Sequence, residues 1–140
     1  MTLSLSSIIK ANEQEVAAKV MDGEAILINL ATGAYYSSPS TGGFIWSLVE
    51  HGHSMRSIVA HVVARYAVAR ERAEADVARI VEAFVAEGLA VAQDSDANED
   101  TVVPETMERL PYDEPKMEKY TDMAEMFALD PPLPGLAKKG

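Results

Sequence analysis

The chain has 140 residues and a mass of 15.1 kDa, the size of one ordinary domain or of a small domain with an appendage. Apolar residues make up 48% of it, so we expect a packed core rather than wholesale disorder. A net charge of −10 and a pI of about 4.6 argue against nucleic acid or an anionic membrane as partner. The absence of cysteine excludes disulfides and thiolate zinc sites, and it is compatible with a cytoplasmic location.

Composition divides the chain after Gln93. Residues 1–93 hold 7 basic and 10 acidic side chains and one proline, whereas residues 94–140 hold 5 basic and 12 acidic side chains and six prolines. Acidic stretches without apolar periodicity are typical of solvated linkers. We therefore predict four parts: a flexible N-terminus over 1–13, a domain over 14–93, an acidic linker over 94–111 and a largely extended or disordered tail over 112–140.

Three strands are predicted at the start of the domain. Asp22-Gly23 is a strong hairpin signal between apolar runs at 15–21 and 24–30. Thr32-Gly33 then turns the chain into a short third strand at 34–37, which is rich in β-favouring aromatic residues.

After Pro39 the apolar spacing becomes helical. Ser40 or Thr41 is expected to cap a first helix, Ser54 a second, and a third runs from about 70 to 87 before Gly88. Residues 89–91 could add a last short strand. Three strands followed by three helices predict a compact α+β domain.

Catalytic constellations are hard to find in this sequence. His51 and His53, with Glu50, offer the best metal hypothesis, but an isolated His-x-His is more often solvated or a cation at a helix C-terminus. Thr41-Gly42-Gly43 lacks the glycine spacing and lysine of a phosphate loop. We predict no catalytic residue, no metal site and no cofactor, with a small metal-binding enzyme as a disfavoured alternative.

Two runs of sequence point to a family. They are GEAILINLATGAYY at 23–36 and STGGFIWSLVEHG at 40–52, followed by Glu-Gly-Leu at 87–89. Together they resemble the PqqD-like family, the peptide-recognition domains of ribosomal peptide modification that are named after the pyrroloquinoline quinone biosynthesis protein. The resemblance covers about residues 14–92.

The resemblance implies a winged helix-turn-helix, with a three-stranded antiparallel sheet followed by three helices. It also implies a non-catalytic protein of natural product biosynthesis that presents a precursor peptide to a modifying enzyme. The leader of that peptide would be held as an added strand between the third strand and the third helix, and an edge strand can template such pairing. By position, the implied peptide-binding residues are Ala34, Tyr35, Tyr36, Ser37, Asp76, Val77, Arg79, Ile80 and Phe84.

Several of these residues have simpler interpretations. Val77, Ile80 and Phe84 also have the spacing of plain core residues, and Asp76 with Arg79 could be a solvated helix face. Tyr35 and Tyr36 point to opposite faces, so at most one lines a groove.

DNA binding is the other function that a winged helix raises. Residues 70–82 carry three arginines against four acidic side chains, whereas phosphate binding needs a basic face. We therefore expect no nucleic-acid partner, and a DNA-binding winged helix stays a disfavoured alternative.

The tail carries a pattern of its own. Tyr112, Pro115 and Met117 are similar to the Tyr-x-x-Pro-x-Leu element of lasso-type leader peptides, although Thr121 and Phe127 depart from that pattern. After Tyr120, a short amphipathic helix is predicted to carry Met123, Met126, Phe127 and Leu129.

Three interpretations of the tail remain open: a leader-like segment fused to its own recognition domain, a docking element for a partner enzyme, or a bland extension. In the first, residues 112–117 occupy the groove in cis or are swapped into a neighbouring copy, so the protein is a monomer or a tail-swapped dimer. The tail would then be a substrate delivered in cis or a plug that an incoming leader displaces. A further alternative is that the chain is itself a precursor modified on its tail.

Overall fold

The computed structural model describes residues 7–93 and 109–120. Nine elements lie in these two ranges. In chain order they are β1 (Ile8–Ala11), β2 (Val16–Met21), β3 (Glu24–Asn29), β4 (Tyr35–Ser38), α1 (Thr41–Glu50), α2 (Met55–Arg65), α3 (Arg70–Ala86), β5 (Ala90–Gln93) and β6 (Glu118–Tyr120).

The predicted strands and helices of residues 14–93 are confirmed. β2 and β3 form an antiparallel hairpin that aligns Met21 with Glu24, and its turn residues Asp22 and Gly23 have φ values of 54° and 79°. Positive φ at both turn positions gives the twist that a two-residue hairpin needs. β4 then pairs antiparallel with β3, so the three strands form a meander.

The expected three-stranded sheet is wrong in strand number. The order of the larger sheet is β2-β3-β4-β6, and the fourth strand comes from the tail, a distant part of the chain. A separate two-stranded sheet pairs β1 with β5. The short strand expected at 89–91 is therefore present, and its partner lies in the terminus that was expected to be flexible.

The N-terminal expectation fails because β1 belongs to the core. Ile9 is completely buried, aligns with Ala92 of β5, and its amide N–H donates to the carbonyl oxygen of His53 at 2.9 Å. Residues 8–11 are thus fixed by burial and by backbone pairing on one side of the domain.

The helices pack against the strands around one hydrophobic core. Trp46 of α1 and Phe84 of α3 are fully buried and meet edge to face, with ring centroids 5.1 Å apart. Ser54 caps α2 by accepting a hydrogen bond from the Ser57 N–H at 3.1 Å, as predicted. At α1 the cap position is Ser40, but its side chain makes no capping hydrogen bond.

Part of the sequence-based prediction lies outside the described residues. This applies to residues 94–108 of the acidic linker and to the helix expected around Met123–Leu129. The strands and helices described above do not by themselves establish a winged helix-turn-helix, so that assignment stays a prediction. Among the described residues, no helix combines the length and apolar character that crossing a bilayer requires.

Candidate functional site

A groove between β4 and α3 contains residues 109–120, here called the tail segment. Its last three residues form β6, which pairs antiparallel with β4 and aligns Tyr120 with Tyr35, Lys119 with Tyr36, and Glu118 with Ser37. The tail segment thus supplies the hydrogen-bonding edge of β4 with a partner strand.

Asp76 of α3 is the polar centre of the groove. Its carboxylate accepts hydrogen bonds from the Tyr112 hydroxyl at 2.6 Å and from Arg79 at 2.9 Å, with Arg72 Nε at 3.3 Å. The residue is 7% exposed. A buried carboxylate needs such donors, because an unpaired one is strongly destabilising.

These contacts shift the pKa of both partners. Burial opposes ionisation of Asp76, but the hydrogen bonds from Tyr112 and Arg79 outweigh it, so the pKa of Asp76 lies below its usual 3.8. Burial, followed by the hydrogen bond to Asp76, raises the pKa of Tyr112 above its usual 10.0. Both shifts favour a neutral phenol donating to an ionised carboxylate.

The middle of the tail segment lies close to the domain. Pro115 is buried, and its carbonyl oxygen accepts from Arg79 at 3.1 Å, while a second ion pair joins Arg79 to Glu114 at 3.0 Å. The Ser38 hydroxyl donates to the Lys116 carbonyl oxygen at 2.7 Å. Main-chain carbonyls thus receive donors from both walls of the groove.

Gly42 permits this close approach. A Cβ atom at this position would lie 2.9 Å from the Lys116 carbonyl oxygen and would collide with the Ser38 hydroxyl. The glycine at the start of α1 therefore leaves room for the peptide backbone.

Glu87 lies at the end of the groove beside β6, next to Lys119. It accepts from the Tyr36 hydroxyl at 2.9 Å and pairs with Lys119 at 2.8 Å, and its main-chain carbonyl accepts from Asn29 Nδ2 at 2.9 Å. The hydrogen bond from Lys119 outweighs burial and lowers the pKa of Glu87. Burial and the bond to Glu87 raise the pKa of Tyr36 to about 12.

The other end of the tail segment is held by main-chain hydrogen bonds. The Leu110 N–H donates to the Arg65 carbonyl at 2.8 Å, and the Ala67 N–H donates to the Leu110 carbonyl at 2.9 Å. Nearby, the Tyr112 ring packs edge to face on Tyr66, with ring centroids 6.1 Å apart. The Arg72 guanidinium lies 5.1 Å from the centroid of the Tyr112 ring.

The structure brings the predicted site residues to one region of the domain. Tyr36, at 1% exposure, faces inward, while Tyr35 stays partly exposed. Ala34 and Ser37 are also buried. Val77, Ile80 and Phe84 lie in the hydrophobic core, and Tyr112 and Met117 pack against the same core. That each of these residues binds a leader peptide stays a prediction.

Sequence reasoning missed four side-chain positions that contact the tail segment. Gly42 could have been identified, because a glycine inside a predicted helix start indicates a close backbone approach. The others carry no local signal, since Ser, Arg and Glu are common at exposed positions. They are Ser38, Arg72 and Glu87.

The histidines singled out for a metal are arranged differently. His53 Nδ1 lies 2.7 Å from the Ser57 hydroxyl, and its ring is 5.0 Å from that of His61, whereas His51 bonds the Ser47 carbonyl at 2.8 Å. Within 7–93 and 109–120, no group of three or more His, Cys, Asp or Glu residues could hold a metal ion.

Comparisons with known proteins match most of the domain. Residues 24–90 match the family described as coenzyme PQQ synthesis protein D, PqqD. The solved structure of TbiB1 in complex with the TbiA(beta) leader peptide is similar at 32% identity and a TM-score of 0.55, covering 58% of this chain and 93% of that one.

A lasso peptide synthetase B1 complexed with the leader peptide has the same fold at 24% identity and a TM-score of 0.53, covering 59% of this chain and 96% of that one. The search of curated proteins found no match. The family motifs, the match over residues 24–90 and the likeness to TbiB1 lead to one conclusion: the chain belongs to the PqqD family.

Proposed function

We propose that this protein is a non-catalytic leader-recognition protein. It binds the leader of a ribosomally synthesised precursor peptide and presents it to a peptide-modifying enzyme. The family membership supports this role, as does the likeness to TbiB1, which was solved with a leader peptide. A winged helix-turn-helix would be the scaffold of this binding site.

The observation that carries the proposal is the pairing of β6 with β4. An extended peptide is accommodated there by strand addition, in which main-chain bonds give affinity and side-chain contacts give specificity. Asp76 and Arg79 supply the specific contacts beside that strand, to a tyrosine hydroxyl and to a proline carbonyl. A leader would use the same edge and the same two side chains.

The tail belongs to the same proposal as a fused leader-like segment. Its Tyr112, Pro115 and Met117 contact the domain, and their spacing is that of the Tyr-x-x-Pro-x-Leu element. Lasso-type leaders carry glycine where this chain has Thr121 and threonine where it has Phe127. We therefore assign the tail no lasso-type cleavage. A chain modified on its own tail is the second candidate, and the presence of a leader-like element on this chain is what favours it.

Peptide titration tests the function. The isotope-labelled full chain is titrated with synthetic leader peptides encoded by the reading frames beside its gene, and amide shifts are followed by NMR. We expect shifts in β4 and α3, with the amides of β2, on the opposite edge of the sheet, unchanged as an internal control. Shifts centred on β2, or no binding of any candidate up to about millimolar concentration, would contradict the proposal.

A further inference from the structure

The tail segment uses the same parts of the groove that an incoming peptide would need. β6 covers β4 along Tyr35 to Ser37, and the Ser38 hydroxyl is engaged by Lys116. Asp76 and Arg79 are also engaged, by Tyr112 and by Pro115. A separate leader and the tail segment therefore cannot be bound in this groove at the same time.

The tail segment is also held outside the leader-like element. Leu110 makes main-chain hydrogen bonds to Arg65 at the end of α2 and to Ala67 in the connection to α3, and it precedes the leader-like residues. This second attachment extends the occupied region beyond what the leader-like pattern predicts. It indicates a resident segment that is fitted to this domain.

Its ion pairs are nevertheless of a kind that can be exchanged. The side chains of Arg79 and Glu114 are 49% and 57% exposed, and those of Lys119 and Glu87 are 45% and 31% exposed. Ion pairs at such exposure contribute little individually, because water competes for both charges. A competing peptide could therefore replace these ion pairs at little cost in free energy.

A short tether strengthens such a weak contact. Only residues 94–108 separate the described domain from the tail segment, and tethering over a short stretch of chain gives effective concentrations of the order of millimolar. If the untethered segment bound the groove with a Kd of about 100 µM, the tethered segment would lower the apparent affinity of a competing peptide by roughly elevenfold.

We propose that the tail segment is an internal competitor that closes the leader-binding groove until a separate leader peptide displaces it. This inference rests on the proposed function and adds a regulation of that site. The occupant of the closed state is residues 109–120 of the same chain. The displacing partner is an extended peptide that offers the same hydrogen-bonding edge and a tyrosine for Asp76.

Cutting the tether tests this without changing any groove residue. A protease site is placed within residues 94–108 of the full chain, and a fluorescent synthetic peptide of residues 109–120 is titrated before and after cleavage at low protein concentration. We expect the cut protein to bind the probe about tenfold more tightly, because the cut lowers the effective concentration of the competing segment. Hydrogen exchange at β4 should rise in parallel.

The outcomes separate the two proposals. Equal, measurable affinity before and after cleavage would overturn the internal competitor and leave peptide binding by the groove intact. Failure of the probe to bind either form at millimolar concentration would overturn the internal competitor, and the titration with separate leader peptides would then decide the proposed function on its own.

A point variant avoids reliance on the cut protein. In the uncut chain, Tyr112→Phe should strengthen binding of the unchanged probe several-fold, because it weakens only the resident segment. Tyr120→Phe is the matched control, since that hydroxyl donates to Glu118 within the tail segment itself. Equal probe affinity in both variants and in the natural chain would overturn the proposal.

Discussion

The hydroxyl of Tyr112 donates a 2.6 Å hydrogen bond to the Asp76 carboxylate, across 36 residues of sequence. The same carboxylate accepts from Arg79 and Arg72, so one buried acidic group joins α3 to the tail segment. The ion pair of Arg79 with Glu114 is much more exposed, whereas Asp76 is only 7% exposed. The bond between Tyr112 and Asp76 should therefore contribute more to holding the tail segment than that ion pair does.

Removing the Tyr112 hydroxyl should release the tail segment measurably. We expect Tyr112→Phe to lower the free energy of holding the segment by about 1–2 kcal/mol, because a hydrogen bond to a charged acceptor is lost while the ring packing is kept. The measurement is hydrogen exchange at the β4 amides that face β6.

A double-mutant cycle with Asp76→Asn checks that the effect comes from this pair. The two substitutions should be non-additive, because each removes the same interaction. Tyr120→Phe should leave exchange unchanged. If Tyr112→Phe and Tyr120→Phe behaved alike, the hydroxyl would not hold the segment.

The hold on the tail segment should weaken at both ends of the pH range. The lowered pKa values of Asp76 and Glu87 mean that ionised carboxylates stabilise the bound segment above their usual values of 3.8 and 4.5. This stabilisation is lost as the pH falls through the lowered values. The raised pKa of Tyr112 means that its neutral phenol stabilises the bound segment below pH 10.0, with loss as the pH rises through the raised value.

NMR signals of the tail segment, followed from pH 2 to pH 11 or so, measure this profile. Between about pH 5 and pH 9 we expect a plateau. Asp76→Asn should remove its share of the acid limb and also reduce the alkaline limb, because the hydrogen bond to the Asp76 carboxylate contributes to the raised pKa of Tyr112. An acid limb of unaltered size in this variant would show that Asp76 does not contribute to it.

Adding a methyl group at Gly42 should expel the tail segment. In Gly42→Ala the new Cβ would lie 2.9 Å from the Lys116 carbonyl oxygen and collide with the Ser38 hydroxyl. Rotation of Ser38 relieves only the second contact and breaks its 2.7 Å bond to Lys116. We expect a loss of about 1–3 kcal/mol in the free energy of holding the segment, as for overpacking.

Ser38→Ala serves as the comparison for Gly42→Ala. It removes the hydrogen bond without introducing a clash, so we expect a smaller loss of about 1 kcal/mol. Hydrogen exchange at β4 again reports the hold on the segment, and circular dichroism verifies the fold. A larger effect of Ser38→Ala than of Gly42→Ala would contradict the close-approach explanation.

Truncating Ile9 tests whether β1 is part of the folded domain. Ile9 is completely buried, whereas Val91 of the paired strand β5 is 40% exposed. Ile9→Ala should therefore lower the free energy of unfolding by about 2–5 kcal/mol, and Val91→Ala by no more than about 0.5 kcal/mol. Denaturant unfolding measures both, and equal effects would mean that β1 is not packed as described.

Local patterns in the sequence were sufficient for the elements of residues 14–93. The helical spacing of Ile45, Leu48 and Val49 predicts α1, and Asp22-Gly23 predicts the first hairpin, because each pattern expresses the geometry of one continuous segment. The motifs in these runs also led to the PqqD family. For the site, the sequence alone identified the leader-like Tyr112, Pro115 and Met117.

Tertiary structure decided which distant segments meet. β1 (IIKA) and β6 (EKY) lack the alternation of apolar and polar residues that indicates a strand, and each is a strand because a partner far away in sequence supplies its hydrogen bonds. The same holds for Ser38, Gly42 and Glu87, which contact the tail segment only after β4 and α3 have packed together. Propensity and periodicity act over neighbouring residues, whereas strand pairing and burial of Asp76 against Tyr112 depend on loop closure over dozens of residues.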